Sequence, residues 1–231
     1  MNVVVSGATG GVGLSIVEKY ASHGSNLILL GTSKEKLKKL SLLIKTKYSV
    51  EVKYFLCNIK YKETVHLAIK NITELSDSID FLINNAGIFP YGPITESSEK
   101  TYQDCMDVNL KLPYLLSQGL FKKIQNDGGG KILNIGSSSS YLGSKNTVLY
   151  CASKHALLGF SRALNDEWKN YGVSVHCISP GTIDTKMASV LDQDKTTFIN
   201  PKEFAELVFD ISKYNGNMLV DEVRAVRKII R

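Results

Sequence analysis

The stretch Asn2-Val3-Val4-Val5-Ser6-Gly7-Ala8-Thr9-Gly10-Gly11-Val12-Gly13 decides how this chain folds. Its first half is a short continuous apolar run, which reads as a buried strand. Its second half sets Gly7, Gly11 and Gly13 in a GxxxGxG pattern that opens a helix. Glycines let the backbone turn tightly and come close to a pyrophosphate. The helix N-terminus then adds free N–H groups and a favourable dipole. A glycine trio alone suits any tight strand–helix turn. Its place, after the first strand and before the first helix, points to a dinucleotide site at Gly7, Thr9, Gly10, Gly11, Val12 and Gly13.

Outward from this turn, apolar runs alternate with amphipathic ones. Strands are expected at Asn2–Ser6, Asn26–Leu30, Val50–Leu56, Ile79–Asn84, Lys131–Gly136 and Val173–Ser179, with a short one near Met218–Val220. Helices are expected at 11–23, 34–47, 61–75, 98–126, 148–170 and 201–213. In the fifth, Ala156, Leu157, Phe160, Ala163, Leu164 and Trp168 recur at helical spacing, and Gly172 stops it. Strict alternation of strand and helix predicts an α/β fold: a three-layer, doubly wound parallel sheet (a Rossmann fold) with right-handed crossovers. Pro and Gly never cluster into a linker. Residues 1–231 therefore read as one dinucleotide-binding and catalytic domain.

Composition narrows the function. The apolar fraction is 43% and the charged fraction 22%, ordinary for a globular chain and wrong for a disordered or collagenous one. No run approaches the ~18 apolar residues of a membrane span, and no signal peptide is visible. Cys57, Cys105, Cys151 and Cys177 show no CxxC spacing, and the four His complete no metal signature. Four reduced thiols suit a cytoplasmic protein. The net charge is 28 − 22 = +6. The excess sits in Lys34, Lys36, Lys38, Lys39, Lys45 and Lys47, and in Arg224, Arg227, Lys228 and Arg231. Such groups can attract phosphates or acidic carriers, but they read equally as a solvated helix face and a basic tail. No motif supports specific nucleic-acid binding.

Tyr150 and Lys154 stand four apart on an expected helix, so both side chains share one face. A free Tyr titrates near ~10, too high for easy proton exchange at neutral pH. A neighbouring ammonium is expected to lower that value and make the pair a general acid/base for carbonyl–alcohol interconversion. Taken alone, such a pair is a common surface feature. Ser137, 13 residues earlier and just past the fifth strand, changes the context. It lies at the carboxyl edge of the sheet, where α/β ligands bind. Asn84-Asn85-Ala86-Gly87 ends the fourth strand at that edge. Asn109 falls inside a long helix where an Asn is unhelpful. Pro180-Gly181 follows the sixth strand.

Together these residues resemble the short-chain dehydrogenase/reductase family in its single-domain branch, and are similar to its 3-oxoacyl-acyl-carrier-protein reductases. The resemblance runs from Ser6 to about Glu222. It rests on Gly7, Gly11 and Gly13, on Asp80 through Gly87, on Asn109, Ser137, Tyr150 and Lys154, and on Pro180-Gly181-Thr182-Ile183-Asp184-Thr185. It implies a nicotinamide-dependent oxidoreductase. Tyr150 would pass a proton to the substrate oxygen, and Lys154 would hold the nicotinamide ribose and depress the Tyr150 pKa. Ser137 would hydrogen-bond the substrate carbonyl, and Asn109 would keep a water in a relay with Lys154. Asn58 and Ile59 would meet the adenine. Asn85, Ala86, Gly87, Pro180, Gly181, Ile183 and Thr185 would complete the cofactor site toward the nicotinamide.

Departures from the family pattern are few. Ser6 replaces a Thr but keeps the hydroxyl, Asn58 stands where an Asp is usual, and His176 replaces an Asn. The segment Asp184–Asn200 is short for a substrate lid, which suggests an open pocket. Cys151 is expected to be core filler. Phe89, Tyr91, Tyr141 and Leu142 either line a substrate pocket or only anchor their loops. The second strand ends Gly31-Thr32-Ser33-Lys34, with no acid for a ribose 2′-hydroxyl. Thr32 and Ser33 can donate to a 2′-phosphate, and the lysines add positive potential. NADP(H) is therefore expected over NAD(H). The substrate is read as a small carbonyl or alcohol, such as a ketone or 3-oxoacyl thioester. The long helices resemble those that family members pair into homodimers or homotetramers. The competing reading is a non-enzymatic dinucleotide-binding redox sensor, which would not need all of Asn109, Ser137, Tyr150 and Lys154.

Overall fold

A computed structural model describes residues 1–125, 129–215 and 219–227. Its strands are β1 (Asn2–Ser6), β2 (Asn26–Gly31), β3 (Val52–Leu56), β4 (Phe81–Asn84), β5 (Gly130–Ile135), β6 (Val173–Pro180) and β7 (Glu222–Ala225). They form one seven-stranded sheet in the order β3-β2-β1-β4-β5-β6-β7. Every pair is parallel. The chain runs outward from β1 to β3, then crosses back to build outward from β4. Between β1 and β4 the strand order reverses, and a crevice opens at their carboxyl ends.

The helices are α1 (Gly11–Ser22), α2 (Lys34–Tyr48), α3 (Lys62–Leu75), α4 (Glu99–Met106), α5 (Leu112–Ile124), α6 (Val148–Trp168) and α7 (Pro201–Lys213). Alternation along the strands assigns them to two faces. Val3, Val5, Leu27, Leu29 and Ile83 point to one side, where Ile16 and Tyr20 of α1, Leu37 of α2 and Phe204 of α7 cover them. Val4, Ile28, Leu30 and Leu82 point to the other, against Val65 and Ile72 of α3, Leu116 and Leu120 of α5 and Trp168 of α6. These are the three layers that the strand–helix alternation predicts.

A polar chain crosses this second core. Asn84 ends β4 directly beside Asn134 of β5. Asn84 Nδ2 donates to Asn134 Oδ1 at 2.8 Å and to Ser117 Oγ at 3.4 Å. Asn134 Nδ2 donates in turn to Ser161 Oγ at 2.9 Å. All four residues are buried.

Three expected elements differ. The helix expected at 98–126 is two helices, α4 and α5, joined by a π-turn at Asp107–Lys111; residue 126 lies outside the described residues. An i→i+5 turn of this kind marks an inserted residue, often at a functional site. The last strand is not at Met218–Val220. Met218 lies outside the described residues, and the strand forms at Glu222–Ala225, where Val223 pairs with Ile178. Glu222 and Arg224 alternate there with Val223 and Ala225, an edge-strand pattern with no apolar run. The helix expected at 148–170 closes at Trp168 with a short turn, and Gly172 follows at φ 73°, the left-handed stop that a glycine permits.

Candidate active site

The carboxyl ends of the strands open into a cleft of about 1060 Å³. The glycine loop forms its floor, and two glycines are required by close backbone approach. A Cβ on Gly13 would stand 2.2 Å from the Gly7 carbonyl oxygen, and one on Gly7 would stand 2.8 Å from Ala86 Cα. Gly7 also sits at φ 64°. Gly10 caps α1 with no side-chain hydrogen bond, and the first turn holds no acid. The first N–H groups of α1 are thus left for a ligand, which fits a dinucleotide pyrophosphate.

Ser6 does the work expected of a Thr there. Its hydroxyl accepts from Asn85 N and Ala86 N, both at 3.1 Å. Asn85 Nδ2 donates back to Ser6 O at 3.0 Å and Gly7 O at 3.2 Å. The Asn85-Ala86-Gly87 turn is so pinned to the glycine loop. Thr32, Asn58 and Ile59 follow β2 and β3 and line the cleft, as do Pro180, Gly181, Ile183 and Thr185 at and after the end of β6. Ser33 and Lys34 do not line it. Ser33 faces α2 instead, where its hydroxyl accepts from Lys36 N as the N-cap.

Ser137, Tyr150 and Lys154 share the opposite wall. Ser137 opens a short turn as its N-cap, accepting from Ser139 N at 3.1 Å, while Ser140 Oγ accepts from Ser137 N at 3.2 Å. The serine tract is thus a capping box that fixes one hydroxyl, not a mere polar loop. Phe89 meets the Tyr150 ring edge-on with centroids 4.7 Å apart. Lys154 Nζ donates to the Ile135 carbonyl at 2.7 Å and lies 5.8 Å from the Tyr150 ring centroid.

Asn109 lies behind this wall, fully buried at the centre of the π-turn. Its side-chain amide brackets one residue: Nδ2 donates to Ile88 O at 3.0 Å and Oδ1 accepts from Ile88 N at 2.9 Å. Nδ2 also donates to Ser153 Oγ at 3.0 Å, and Ser153 donates to Tyr150 O at 2.8 Å. The π-turn thereby couples α4–α5 to the Gly87-Ile88-Phe89 loop and to the helix bearing Tyr150.

The electrostatics correct one expectation. Lys154 does not bring the Tyr150 phenol down. Burial pushes it up to about 12, and the Ser137 hydroxyl offsets only part of that rise. Desolvation of the phenol is the leading cause, and Lys154 Nζ donates to Ile135 O. Lys154 is itself pushed down to about 8 by burial, which disfavours its charged form. The Cys57, Cys105 and Cys177 thiols are raised by burial and remain protonated.

The loop residues divide. Phe89 and Leu142 line the cleft. Tyr91 stacks on Phe89, and Tyr141 donates to Glu222 Oε2 at 3.0 Å. Cys151 is buried filler against Thr147 Oγ1 and Leu142 O. His176 satisfies both ring nitrogens, at Val220 O and Ser174 Oγ. The segment from Asp184 to Asn200 folds into two short turns, Lys186–Val190 and Lys195–Thr197. From it Met187, Leu191 and Gln193 reach the cleft. Lys60 and Arg227 reach it too, and the sequence reading passed over both. Lys60 directly follows Asn58-Ile59, which could have flagged it. Arg227 stood only among the terminal basic residues.

The short chain dehydrogenase profile matches residues 1–196. The chain belongs to this family. It is an NAD(P)-dependent oxidoreductase. The chain is 32% identical over 230 residues to a 3-oxoacyl-acyl-carrier-protein reductase of Aquifex aeolicus, covering 95% of this chain and 93% of that one. An alcohol dehydrogenase from the archaeon Thermococcus sibiricus, solved with 5-hydroxy-NADP, superposes with a TM-score of 0.90. It is 24% identical, over 99% of this chain and 96% of that one. L-Sorbose reductase from Gluconobacter frateurii, solved with NADPH and L-sorbose, gives a TM-score of 0.86 at 23% identity, over 97% and 94% of the two chains. These two likenesses concern the fold. No helix among the described residues is long and apolar enough to cross a membrane.

Proposed function

We propose that this chain is an NADP(H)-dependent reductase of small carbonyl compounds, acting through Tyr150, Ser137, Lys154 and Asn109. The observation that carries this reading is the cleft itself. It sets the Ser137 and Tyr150 hydroxyls and the Lys154 ammonium on one wall, facing a glycine loop built for a dinucleotide. The bound nicotinamide would supply or accept the hydride. Gly10, Gly11 and the free N–H groups of α1 would hold its pyrophosphate, and Thr32 would stand beside the ribose of the adenine end.

The chain's own part is protonic and positional. A phenol pushed up to about 12 keeps its proton at neutral pH, which suits a donor to a carbonyl oxygen that is gaining negative charge. Ser137, held by its capping box, would offer a second hydrogen bond to the same oxygen. Lys154, buried with its Nζ 5.8 Å from the Tyr150 ring centre, would hold positive charge beside the phenol as its proton leaves. Asn109 keeps the 87–89 loop and the Tyr150 helix in register rather than touching substrate. Cofactor and catalytic parts would belong to one domain.

The test is oxidation of NADPH and NADH across a panel of small ketones, sugars and 3-oxoacyl thioesters. Turnover of one class with NADPH supports the reading. Dinucleotide binding without turnover of any carbonyl favours the redox-sensor reading instead.

A further inference from the structure

The lining of the cleft is electrically one-sided. It contains Lys60, Lys154, Lys186 and Arg227, and no Asp or Glu among the described residues. Two of these cations are accounted for at the cofactor and catalytic positions. Lys60 is beside Asn58-Ile59 and paired to Asp104 at 2.9 Å. Lys154 is the buried base of the catalytic wall. Lys186 is exposed and follows Thr185, whose methyl would lie 2.9 Å from a Cβ on Gly11.

Arg227 is different. Its stem lies across Gly181, where an added Cβ would meet Arg227 Cγ at 3.2 Å. Gly181 follows the last residue of β6, on the side of the cleft away from the adenine end. The guanidinium carbon stands 5.8 Å from the centre of the Phe198 ring. Nη1 donates to Gln193 Oε1 at 3.0 Å and to Thr197 Oγ1 at 3.2 Å. Both acceptors are neutral, and both hydrogens of Nη1 are used. The Nε–Nη2 edge has no carboxylate partner among the described residues. A half-buried, pre-oriented guanidinium with one edge left over matches a planar oxyanion bidentately.

We infer that the substrate carries a carboxylate remote from its reacting carbonyl, and that Arg227 binds it through Nε and Nη2. This rests on the reading of the cleft as a carbonyl reductase site. Gln193 and Thr197 hold the guanidinium, so the segment from Asp184 to Asn200 acts as the scaffold of a charge-selective end. The apolar Met187 and Leu191 of the same segment also line the cleft and suit a short hydrocarbon spacer.

The experiment compares oxo acids of graded chain length with their methyl esters and with hydroxyketone phosphate esters, using NADPH and steady-state kinetics. Losing one bidentate, charge-assisted contact should cost roughly 10- to 100-fold in kcat/KM. The wild type should prefer one oxo acid over its methyl ester by that factor. Arg227→Gln should collapse the acid-to-ester ratio toward one, and Arg227→Lys should restore only part of it. Calorimetric binding of the same acid and ester to the NADP-loaded protein gives a readout free of turnover. Equal binding of acid and ester by the wild type overturns the inference. So does a preference for the phosphate ester over the oxo acid. A loss of NADPH affinity in Arg227→Gln with the acid-to-ester ratio preserved also overturns it, because Arg227 would then serve the cofactor. Turnover of ketones without any charge preference sinks the inference alone; failure to turn over any carbonyl, with binding that favours the acid, sinks only the reductase reading.

Discussion

Replacing Lys154 by Met should change how stability depends on pH, by an amount the burial of this group dictates. The ammonium titrates near 8 in the folded chain against an ordinary 10.5, because burial disfavours its charge. Between those values the unfolded chain binds more protons, so wild-type stability rises with pH across that window. Below it both states hold the proton, and the folded state bears the whole cost of a buried charge. The gap of 10.5 − 8, about 2.5 units, corresponds to roughly 3 kcal/mol. Moving from pH 7 to pH 10 recovers most of it, about 2–3 kcal/mol. Lys154→Met removes the titrating group and with it this gain. Absolute stability is a poor readout, since Met also removes the donor to Ile135 O, and an orphaned buried carbonyl costs about 1–3 kcal/mol. The clean measure is a difference of differences: urea unfolding of both proteins at pH 7 and pH 10. Wild type should gain about 2–3 kcal/mol more than the variant over that interval. Gains equal within about 0.5 kcal/mol would show that the ammonium is solvated, and would refute the electrostatic account of the catalytic wall.

Tyr150→Phe should lower turnover by roughly 10²- to 10⁴-fold while cofactor affinity, read by fluorescence titration, stays near the wild-type value; near-normal rates would sink the proton-donor role. Thr32→Asp should weaken NADPH binding by roughly 10-fold or more and NADH binding far less, the exposure of Thr32 screening an interaction that would otherwise reach about 4 kcal/mol per unit charge. Tighter NADH than NADPH binding by the wild type would remove the basis of that expectation. The chain should self-associate through the outer face of α4, α5 and α6, where Tyr102 is 49% and Tyr114 42% exposed around a shallow apolar groove with Met106, Leu110 and Phe160. Light scattering that finds only monomer at micromolar concentration would contradict this.

What was legible in the sequence follows a physical divide. Buried parallel strands are continuous apolar runs, so β1 to β6 stand out, and the glycines of the first turn are dictated by backbone contacts that admit no side chain. Ser137, Tyr150 and Lys154 were singled out through their resemblance to a family pattern, and all three line the cleft. β7 was misplaced because an edge strand needs only one apolar side, and Val223 and Ala225 alone give too weak a signal. The π-turn at Asp107–Lys111 was hidden because an inserted residue leaves helical periodicity almost intact; the buried Asn109 was its only trace. The pKa order of Tyr150 and Lys154 depends on desolvation, a property of the packed layers rather than of residue spacing. Arg227 gained meaning only when the fold carried the end of the chain back across Gly181.

The line of Ser117, Asn84, Asn134 and Ser161 has a consequence for how the sheet assembles. β4 and β5 are short apolar segments, and apolar segments can pair in several offsets with little difference in energy. Their amides remove that freedom. A shift of β4 along β5 by one residue would turn Asn84 away from Asn134, and each stranded amide group would cost about 1–3 kcal/mol in the dry interior. The native offset, in which Asn84 faces Asn134, is therefore lower in free energy than its neighbours. Because the same two strands end at the cleft, an assembly error there would displace Gly87 and Ser137 together. The polar pairing thus ties the register of two strands to the placement of the cleft residues that follow them.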